Sequence, residues 1–321
     1  MNKAANLANF HCFFCIKPQL NTLLTKTTIF ALCFIHCTMH LFKSVSDVQA
    51  YLKDYHLKNR PLGFIPTMGA LHNGHLSLIR QSIDAANFTV ASIFVNPSQF
   101  NESSDLEKYP RTPEQDLRLL YQAGCHAVFM PPVEEVYPPG LDTNLKIDFG
   151  QLTTSMEGLH RPGHFDGVAQ VVKRLLDIIQ PTHLYMGQKD YQQVMVVKHM
   201  AKVLGLSTKV VMSPIVREKN GLAMSSRNVR LSDYGKQQAA QIHQALLASK
   251  GWLTEYSPGQ ISQKAMEMIE EAGLKPEYFD LVDGDTLVPI QSINDESTIV
   301  ACVAAWCEGV RLIDNLILQR Q

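Results

Sequence analysis

PTMGALHNGH, residues 66–75, is the stretch that decides the fold of this chain. A short apolar run precedes it at 62–65, and apolar residues at helical spacing follow it: Leu76, Ile79 and Ile83. This order predicts a strand, a glycine-bearing turn, and a helix whose first turn carries His72 and His75 on one face. A helix start concentrates unpaired N–H groups and the positive end of the helix dipole, so it suits a phosphate. Two histidines there can donate hydrogen bonds to an anion, although two capping or core histidines would also fit the motif taken alone.

Strand and helix patterns alternate from this stretch onward. Apolar runs at 89–95, 127–130, 183–186 and 209–212 predict further strands, and helical patterns cover 113–123, 166–180 and 190–204. Pro113 near the start of one helix and Gly124 just past its end are typical helix start and stop signals. Such alternation predicts an α/β fold, a Rossmann-like parallel sheet with helices on both faces.

A smaller unit is predicted after the last of these strands. Ser232 is placed to cap a helix with Ala239, Ile242 and Leu246 on one face, and Ile261, Ala265 and Ile269 indicate another. Strand patterns follow at 278–282, 298–306 and 310–313. The predicted division is therefore a Rossmann-like domain at 39–213 and a smaller α+β C-terminal domain at 214–321.

The first 38 residues differ from the rest, because they contain no Asp, Glu or Arg. Their apolar run, 29–35, is shorter than the roughly 20 residues that a bilayer span needs, and neither a secretory nor a mitochondrial signal fits well. We expect the fold to start near Met39, with 1–38 as a disordered tail or a mis-assigned translation start. Cys12 and Cys15 have zinc-knuckle spacing, but no second pair accompanies them.

Composition excludes several classes of protein. The 321 residues are 45% hydrophobic, enough for one large or two moderate cores. Charged residues make up 18% and the formal net charge is −1, so no broad basic field for nucleic acid is present. Seven scattered cysteines fit a reducing cytosol rather than a disulfide framework, and we expect a cytoplasmic protein without a nucleic-acid or membrane partner.

Polar segments follow four of the predicted strands. They are 67–75, 96–100, 187–193 and, after a short excursion, 224–228. Each alone could be an ordinary turn or a solvated helix cap. Ligands of parallel sheets bind beyond the carboxyl ends of the strands, so four such segments at one edge predict a single ligand site.

Six sequence blocks together resemble the pantoate–β-alanine ligases (pantothenate synthetases) of the H-x-G-H nucleotidyltransferase superfamily. The blocks are PTMGALHNGH (66–75), FVNPSQF (94–100), YPRTPEQD (109–116), GLHRPGHFDGV (158–168), YMGQKDYQQ (185–193) and MSSRN (224–228). The resemblance covers about Met39 to the C-terminus. MSSRN is also similar to the K-M-S-K-S element of class I aminoacyl-tRNA synthetases, with Arg227 in the place of a lysine.

The resemblance implies an ATP-dependent condensation of pantoate with β-alanine through pantoyl adenylate, with release of pyrophosphate and AMP. By it, His75, His72, Lys189 and Arg227 are the catalytic residues. His72 and His75 are expected at the α-phosphate, with His75 as the hydrogen-bond or proton donor. Lys189, Ser225, Ser226 and Arg227 are expected at the β- and γ-phosphates. The implied ATP-binding residues are Met68, Gly69, Gly74, His75, Gly187, Gln188, Lys189, Asp190, Val216, Met224, Ser225, Ser226 and Arg227. Gly187 and Asp190 are expected at the ribose. Gly69 and Gly74, which have no side chain, are expected to let the nucleotide approach the backbone closely.

The same resemblance assigns the acyl substrate and the partners. Gln99 and Gln193 are implied at pantoate, whose hydroxyls and carboxylate suit amides that both donate and accept, and His164 lies near the same substrate. Mg²⁺ is implied with ATP and is expected on phosphate oxygens, with Asp116 an indirect partner and no protein ligand assigned. Glutamine stands at 188 where relatives often have glutamate. The resemblance also implies a homodimer and a C-terminal domain that acts as a lid.

Two other classes of function remain open from the residues. A nucleotidyltransferase acting on a phosphorylated acceptor, such as a pantetheine phosphate, is disfavoured by the paired glutamines and the extra C-terminal domain. A non-catalytic nucleotide-binding or membrane-tethered protein is disfavoured by the intact catalytic set. A class I tRNA synthetase lacks support, because no anticodon-binding domain or basic surface is apparent.

Overall fold

The computed structural model describes residues 38–100, 103–293 and 298–319. Residues 1–37 of the predicted extension, with its apolar run and the Cys12 and Cys15 pair, lie outside the described residues. In the part that is described, no helix is both long enough and apolar enough to cross a membrane. Cys125, Cys302 and Cys307 are buried, and none of the three forms a disulfide within the described residues.

A six-stranded parallel sheet forms the larger part of the protein. Its strands are β1 (His40–Phe42), β2 (Leu62–Thr67), β3 (Phe88–Ile93), β4 (Ala127–Phe129), β5 (His183–Gly187) and β6 (Lys209–Ser213), in the order β1-β4-β3-β2-β5-β6. The chain runs from β2 through β3 to β4 on one side and then crosses to β5 and β6 on the other. Neighbouring β2 and β5 therefore send their following loops in opposite directions, which opens a crevice at their carboxyl ends.

Helices cover both faces of this sheet, as the sequence predicts. They are α1 (Val45–Leu57), α2 (Asn73–Asp84), α3 (Ser103–Lys108), α4 (Pro113–Gln122), α5 (Val133–Val136), α6 (Glu157–His160), α7 (His164–Ile179) and α8 (Tyr191–Val203). Successive residues of a strand point to opposite faces. Accordingly Phe64 packs with the core under α1, α7 and α8, and Ile65 packs with the core under α2 and α4.

The C-terminal unit has its own sheet and its own core. It comprises α9 (Asp233–Ala239), α10 (Gln241–Gly251), α11 (Pro258–Glu271), β7 (Lys275–Asp283), β8 (Ile299–Cys307) and β9 (Val310–Gln319), with an antiparallel sheet in the order β7-β8-β9. Phe279 and Val303 face the core under α10 and α11. Tyr278 and Cys302 face the other way and join the core of the parallel sheet. The smaller unit thus packs directly on the larger one, and the division at 213/214 stays a prediction.

Several element boundaries differ from the sequence expectations. β1 was not predicted, because three residues are too few to show a period. The helix expected from 190 begins one residue later, because Gln188–Asp190 forms a tight 3-10 turn ahead of α8. The helix capped by Ser232 breaks at Ala240 into α9 and α10, and β9 runs to Gln319 rather than ending at 313.

Candidate active site

The loop after β2 is shaped by one buried carboxylate. Gly69 and Ala70 both have positive φ, +83° and +49°, which turns the chain sharply after the strand. Asp116 from α4 accepts hydrogen bonds from the backbone N–H groups of Ala70 (2.9 Å) and Leu71 (2.8 Å). Its side chain is 1% exposed. Asp116 therefore holds the loop, and its oxygens point at backbone rather than at the crevice.

His72 and His75 form a capping box at the start of α2. His72 is the N-cap rather than a residue of the first turn, and its Nδ1 accepts from the N–H of Gly74 at 3.1 Å. The Nδ1 of His75 accepts from the N–H of His72 at 3.4 Å, and the ring centroids lie 4.1 Å apart. A ring nitrogen that accepts carries no proton, so each neutral imidazole bears its hydrogen on Nε2. Both side chains are thereby fixed as Nε2–H donors.

Both imidazoles are held in the neutral form. Burial, the neighbouring His75 and the Lys189 ammonium lower the pKa of His72 from 6.5 to about 3. Burial and the same ammonium lower the pKa of His75 from 6.5 to about 4. The pair therefore donates hydrogen bonds without carrying charge near neutral pH.

The glycines of this loop serve contacts within the protein. A Cβ on Gly74 would lie 2.9 Å from the His72 ring, and one on Gly69 would lie 3.0 Å from Asp116 Oδ2. The expected reason, close approach of a nucleotide, is thus not needed to explain either residue. Gly187 differs, because nothing lies within 4 Å of the place of its Cβ.

Lys189 and Asp190 lie on the turn after β5, beside β2. Lys189 Nζ is 3.5 Å from Asp190 Oδ1, and the ammonium is close enough to shift the pKa of both histidines. The carbonyls of Gln188 and Lys189 accept from the side-chain amide of Asn315, at 2.8 and 2.9 Å. Asn315 belongs to β9, so the C-terminal unit takes part in building this site.

The serine-containing segment closes the crevice from the other side. A hairpin that begins at Val216 brings Ser225 and Ser226 to the crevice, and the N–H of Met224 donates to the Val216 carbonyl at 3.0 Å. Ser226 Oγ donates to the carbonyl of Ala70 at 2.9 Å, and Ser225 Oγ accepts from the N–H of Arg227 at 3.2 Å. Residues 156 positions apart are therefore in direct contact.

Arg227 lies over an aromatic ring that was not among the predicted site residues. Its guanidinium carbon is 5.7 Å from the ring centroid of Tyr109, within cation–π range. Burial raises the pKa of the Tyr109 phenol, so the hydroxyl stays neutral. Tyr109 belongs to the YPRTPEQD block, which was the available signal.

The two glutamines expected at the acyl substrate lie in different surroundings. Gln193, on α8, lines a small cavity together with His164 and Tyr278. The side-chain Nε2 of Gln99 donates to Met68 Sδ at 3.0 Å, and the backbone carbonyl of Gln99 accepts from His164 Nδ1 at 2.9 Å. His164 thus connects the Gln99 turn to the cavity that Gln193 lines.

His164 is fixed in the tautomer opposite to that of His72 and His75. Its Nδ1–H donates to the Gln99 carbonyl, so its Nε2 accepts from Arg161 at 3.1 Å. Burial and the Arg161 charge lower the pKa of His164 to about 4. Gly167 permits this arrangement, since a Cβ there would lie 2.5 Å from the Ser98 carbonyl oxygen.

A cleft of about 340 Å³ lies between the two units. Four of the predicted site residues are on its wall: Lys189, Asp190, Ser225 and Arg227. Six cations line the cleft against four carboxylates, which are Glu157, Asp190, Glu277 and Asp314. The cations besides Lys189 and Arg227 are Lys108, Arg161, Arg230 and Arg311. The H-x-G-H loop approaches this wall at two points. Ser226, between the wall residues Ser225 and Arg227, donates to the Ala70 carbonyl, and a Cβ on Gly74 would be 3.7 Å from the Cβ of Met224. A cleft rich in cations beside two neutral imidazole donors suits a triphosphate.

An ion-pair network that the sequence does not predict lies at the end of the cleft. Glu157 accepts from Arg311 at 2.7 and 2.8 Å and from the Tyr278 hydroxyl at 2.9 Å. Arg311 also donates to Glu277. Burial would raise the pKa of Glu157, but the Arg311 bonds and charge outweigh it and lower the pKa to about 2. No local pattern signals these partners, because Glu157 and Arg311 are 154 residues apart.

Three comparisons relate this chain to known proteins. The family model for pantoate-beta-alanine ligase matches residues 40–317. The chain is 44% identical over 279 residues to the pantothenate synthetase of Porphyromonas gingivalis, covering 87% of this chain and 99% of that protein. It is 45% identical over 280 residues to that of Cytophaga hutchinsonii, covering 86% and 98%.

Solved structures are similar over the same length. Pantothenate synthetase from Thermus thermophilus has a TM-score of 0.78 at 40% identity, covering 87% of this chain and 99% of that one. The pantoate-beta-alanine ligase of Francisella tularensis, solved with beta-gamma ATP and beta-alanine, has a TM-score of 0.73 at 32% identity, covering 88% and 98%. The expectation from the six sequence blocks is confirmed: the chain belongs to the pantoate–β-alanine ligase family and is an ATP-dependent ligase that forms pantothenate.

Proposed function

We propose that the cleft between the two units catalyses both steps of the ligation. In the first step the carboxylate of pantoate attacks the α-phosphorus of ATP, the bond to the β-phosphate oxygen breaks, and pyrophosphate leaves. In the second step the amine of β-alanine attacks the acyl carbon of pantoyl adenylate, and AMP leaves. The observation that supports this most directly is the convergence of the His72–His75 loop, the Lys189 turn and the Ser225–Arg227 turn at one edge of the sheet.

His72 and His75 stabilise the reacting phosphate in this scheme by donating from Nε2–H. Charge grows on the α-phosphate oxygens as the carboxylate attacks, and fixed donors aimed at growing charge stabilise the transition state. Their lowered pKa values make them donors of hydrogen bonds rather than of protons. The helix start beneath them adds its dipole.

Lys189 and Arg227 then stabilise pyrophosphate as it leaves. Ser225 retains a hydroxyl hydrogen for a phosphate oxygen, because its Oγ acts as acceptor toward the N–H of Arg227. Ser226 donates to Ala70 instead, so we assign it to holding the turn. We place the ribose at Gly187 and Asp190, beside the open space above Gly187, and the rest of the nucleotide along Met68, Gln188, Val216 and Met224.

Mg²⁺ enters with ATP as part of the substrate in this proposal. Among residues 38–100, 103–293 and 298–319 no three His, Cys, Asp or Glu side chains converge to hold a metal. Both oxygens of Asp116 already accept backbone hydrogen bonds. We propose phosphate oxygens as its ligands, where the ion would supply charge neutralisation.

Gln193 and Gln99 bind pantoate in the proposal, with His164 fixing the Gln99 turn. β-Alanine, which the Francisella tularensis relative was solved with, then reaches the acyl carbon from the cleft. We further propose that the C-terminal unit, about 214–321, acts as a lid that keeps water from the adenylate. A homodimer and a cytoplasmic location complete the proposal, and sedimentation of the purified protein tests the dimer.

An omission assay tests the two steps. Purified protein is given ATP, Mg²⁺, pantoate and β-alanine, with each left out in turn. We expect pyrophosphate with pantoate alone and AMP only when β-alanine is added. AMP release without the amine, or transfer of AMP to a phosphorylated pantetheine, would contradict the proposal.

Two histidine variants separate catalysis from stability in the same assay. His75→Ala removes a proposed donor, and His183→Ala removes a histidine at the opposite end of β5, where the strand begins. Only His75→Ala should lower pyrophosphate release, by about a hundredfold for the loss of one aligned donor. Equal turnover in both variants would favour nucleotide binding without catalysis.

A further inference from the structure

Asn315 makes three hydrogen bonds across the junction of the two units. Its Nδ2 donates to the carbonyls of Gln188 and Lys189, and its Oδ1 accepts from Gln188 Nε2 at 3.1 Å. The side chain is 2% exposed. An amide is the side chain that can satisfy two carbonyls and one amide donor at once.

The turn that Asn315 holds has little local support. Gln188–Asp190 is a single 3-10 turn without a side-chain cap, and Asp190, the N-cap of α8, makes no capping hydrogen bond either. The carbonyls of Gln188 and Lys189 are part-buried, and a backbone carbonyl that is removed from water without a hydrogen-bond partner costs stability. Asn315 supplies those partners from a strand 126 residues further along the chain.

The residue before Asn315 is fixed from the opposite direction. Asp314 pairs with Arg217 at 2.5 and 3.0 Å, and Arg217 also donates to the carbonyls of Gly221 and Asn315. Arg217 lies in the hairpin that leads to Ser225 and Arg227. Asn315 thus contacts the Lys189 turn, and Asp314 contacts the hairpin that leads to Arg227. These are the two segments that we propose to hold the leaving pyrophosphate.

We propose that Asn315 is a positioning residue for the first chemical step, acting through the backbone of the Lys189 turn. The inference rests on the proposed role of Lys189. Stabilisation of a leaving group depends on where the cation is held, and small displacements have large effects on rate. Asn315 sets the place of the Lys189 ammonium, and Asp314 with Arg217 fixes the strand from which it does so. The C-terminal unit therefore aligns the phosphate-binding residues in addition to covering them.

A double-mutant cycle tests the inference in the full-length protein. Pantoate-dependent exchange of pyrophosphate into ATP, measured without β-alanine, isolates the first step. The variants are Asn315→Ala, Lys189→Ala and the double variant. Gln238→Ala is the matched control, because Gln238 likewise donates an amide hydrogen bond to a backbone carbonyl, that of Ala272, but within the C-terminal unit. Asn315→Ser replaces Asn315→Ala if the alanine variant fails to fold.

We expect Asn315→Ala to lower the exchange rate by roughly ten- to a hundredfold, as the loss of the side chain's three hydrogen bonds and of alignment implies. The KM for pantoate and the rate of the control should stay within about twofold. In the Lys189→Ala background the same substitution should change the rate by less than about threefold, because the group it positions is gone. A full, undiminished loss in that background, or no loss in the native background, would overturn the inference. Failure of the proposed function itself is distinct, since the unmodified protein would then show no pantoate-dependent exchange.

Discussion

Replacing Glu157 by glutamine removes one negative charge from the network at the end of the cleft and keeps the shape of the side chain. Glu157 is 7% exposed and is hydrogen-bonded to Arg311 and to Tyr278. The Arg161 guanidinium forms a second ion pair with it, at 3.6 Å from the Glu157 carboxylate. Arg311 and Tyr278 belong to the C-terminal unit, whereas Glu157 belongs to α6. The substitution therefore weakens the attachment of one unit to the other.

Two estimates give the same magnitude for the cost. The pKa of Glu157 falls from 4.5 to about 2, and a difference of that size corresponds to about 3 kcal/mol of stabilisation of the ionised form. Breaking a buried ion pair by removing one partner costs about 3–5 kcal/mol. We therefore expect Glu157→Gln to lower the free energy of unfolding by about 3 kcal/mol at pH 7.

Urea unfolding at several pH values is the assay. Because the folded-state pKa lies below the unfolded one, the stabilisation is complete above pH 4.5 and is lost as the pH falls toward about 2. The difference between native protein and variant should thus shrink by roughly half at pH 3. Asp177→Asn is the matched control, since Asp177 pairs with Lys173 on the surface and should contribute less than about 1 kcal/mol.

A loss below about 1 kcal/mol at pH 7, or a loss that does not change between pH 7 and pH 3, would refute the reasoning. The first result would show that the desolvation of Glu157 cancels its attraction to Arg311. The second would show that the effect comes from shape rather than charge.

Three further predictions concern the site. Gly74→Ala should raise helix propensity by up to about 1 kcal/mol yet lower pantoate-dependent exchange at least about tenfold, because the new Cβ displaces the His72 ring. The control is Gly259→Ala, which is likewise the second residue of its helix, α11, and has no atom within 4 Å of the new Cβ. It should gain stability without losing activity, and equal activity in both variants would contradict the proposed effect of the Gly74–His72 contact. Since the pKa values of His72 and His75 are lowered to about 3 and about 4, their neutral forms stabilise the fold above pH 6.5 and that stabilisation is lost as the pH falls, by about 1–2 kcal/mol per histidine between pH 7 and pH 5. The pH profile of the exchange rate should accordingly show no histidine inflection near 6.5, and one that disappears in His75→Asn would refute the neutral assignment. Gln193→Ala should raise the KM for pantoate about tenfold or more, the cost of a hydrogen bond to a charged group, and leave the KM for ATP unchanged; steady-state kinetics in each substrate decides.

The elements with a strong local period could be predicted from the sequence. α7 shows this best, since its apolar positions recur every three or four residues and all of Val168, Val171, Val172, Leu175, Leu176 and Ile179 are buried. Gly124 marks the end of α4 with φ +81°, which few other residues adopt without cost. β1 carries too few residues for any period, and its place at the sheet edge comes from pairing with β4.

The site could be predicted as a set of polar segments but not as a set of contacts. The motif placed His72 and His75 at a helix start, yet only the backbone bonds to their Nδ1 atoms show which nitrogen carries the hydrogen. Asp116 holds the loop of Ala70 and Leu71, a contact that the sequence did not show, and its expected role as an indirect partner of Mg²⁺ stays a prediction. Asn315 was missed, because nothing in its neighbours along β9 distinguishes it from an ordinary strand residue.

The sequence by itself determined the alternation of strands and helices, the polar segments after the strands, and the family. These properties are encoded within short windows, where side-chain period and turn-forming residues act on the chain nearby. Tertiary structure alone decided that Glu157 pairs with Arg311, that Asn315 holds the Lys189 turn, and that two histidines are neutral donors. Those outcomes depend on burial and on the approach of segments more than 100 residues apart in the chain, which only the packing of the two sheets brings about.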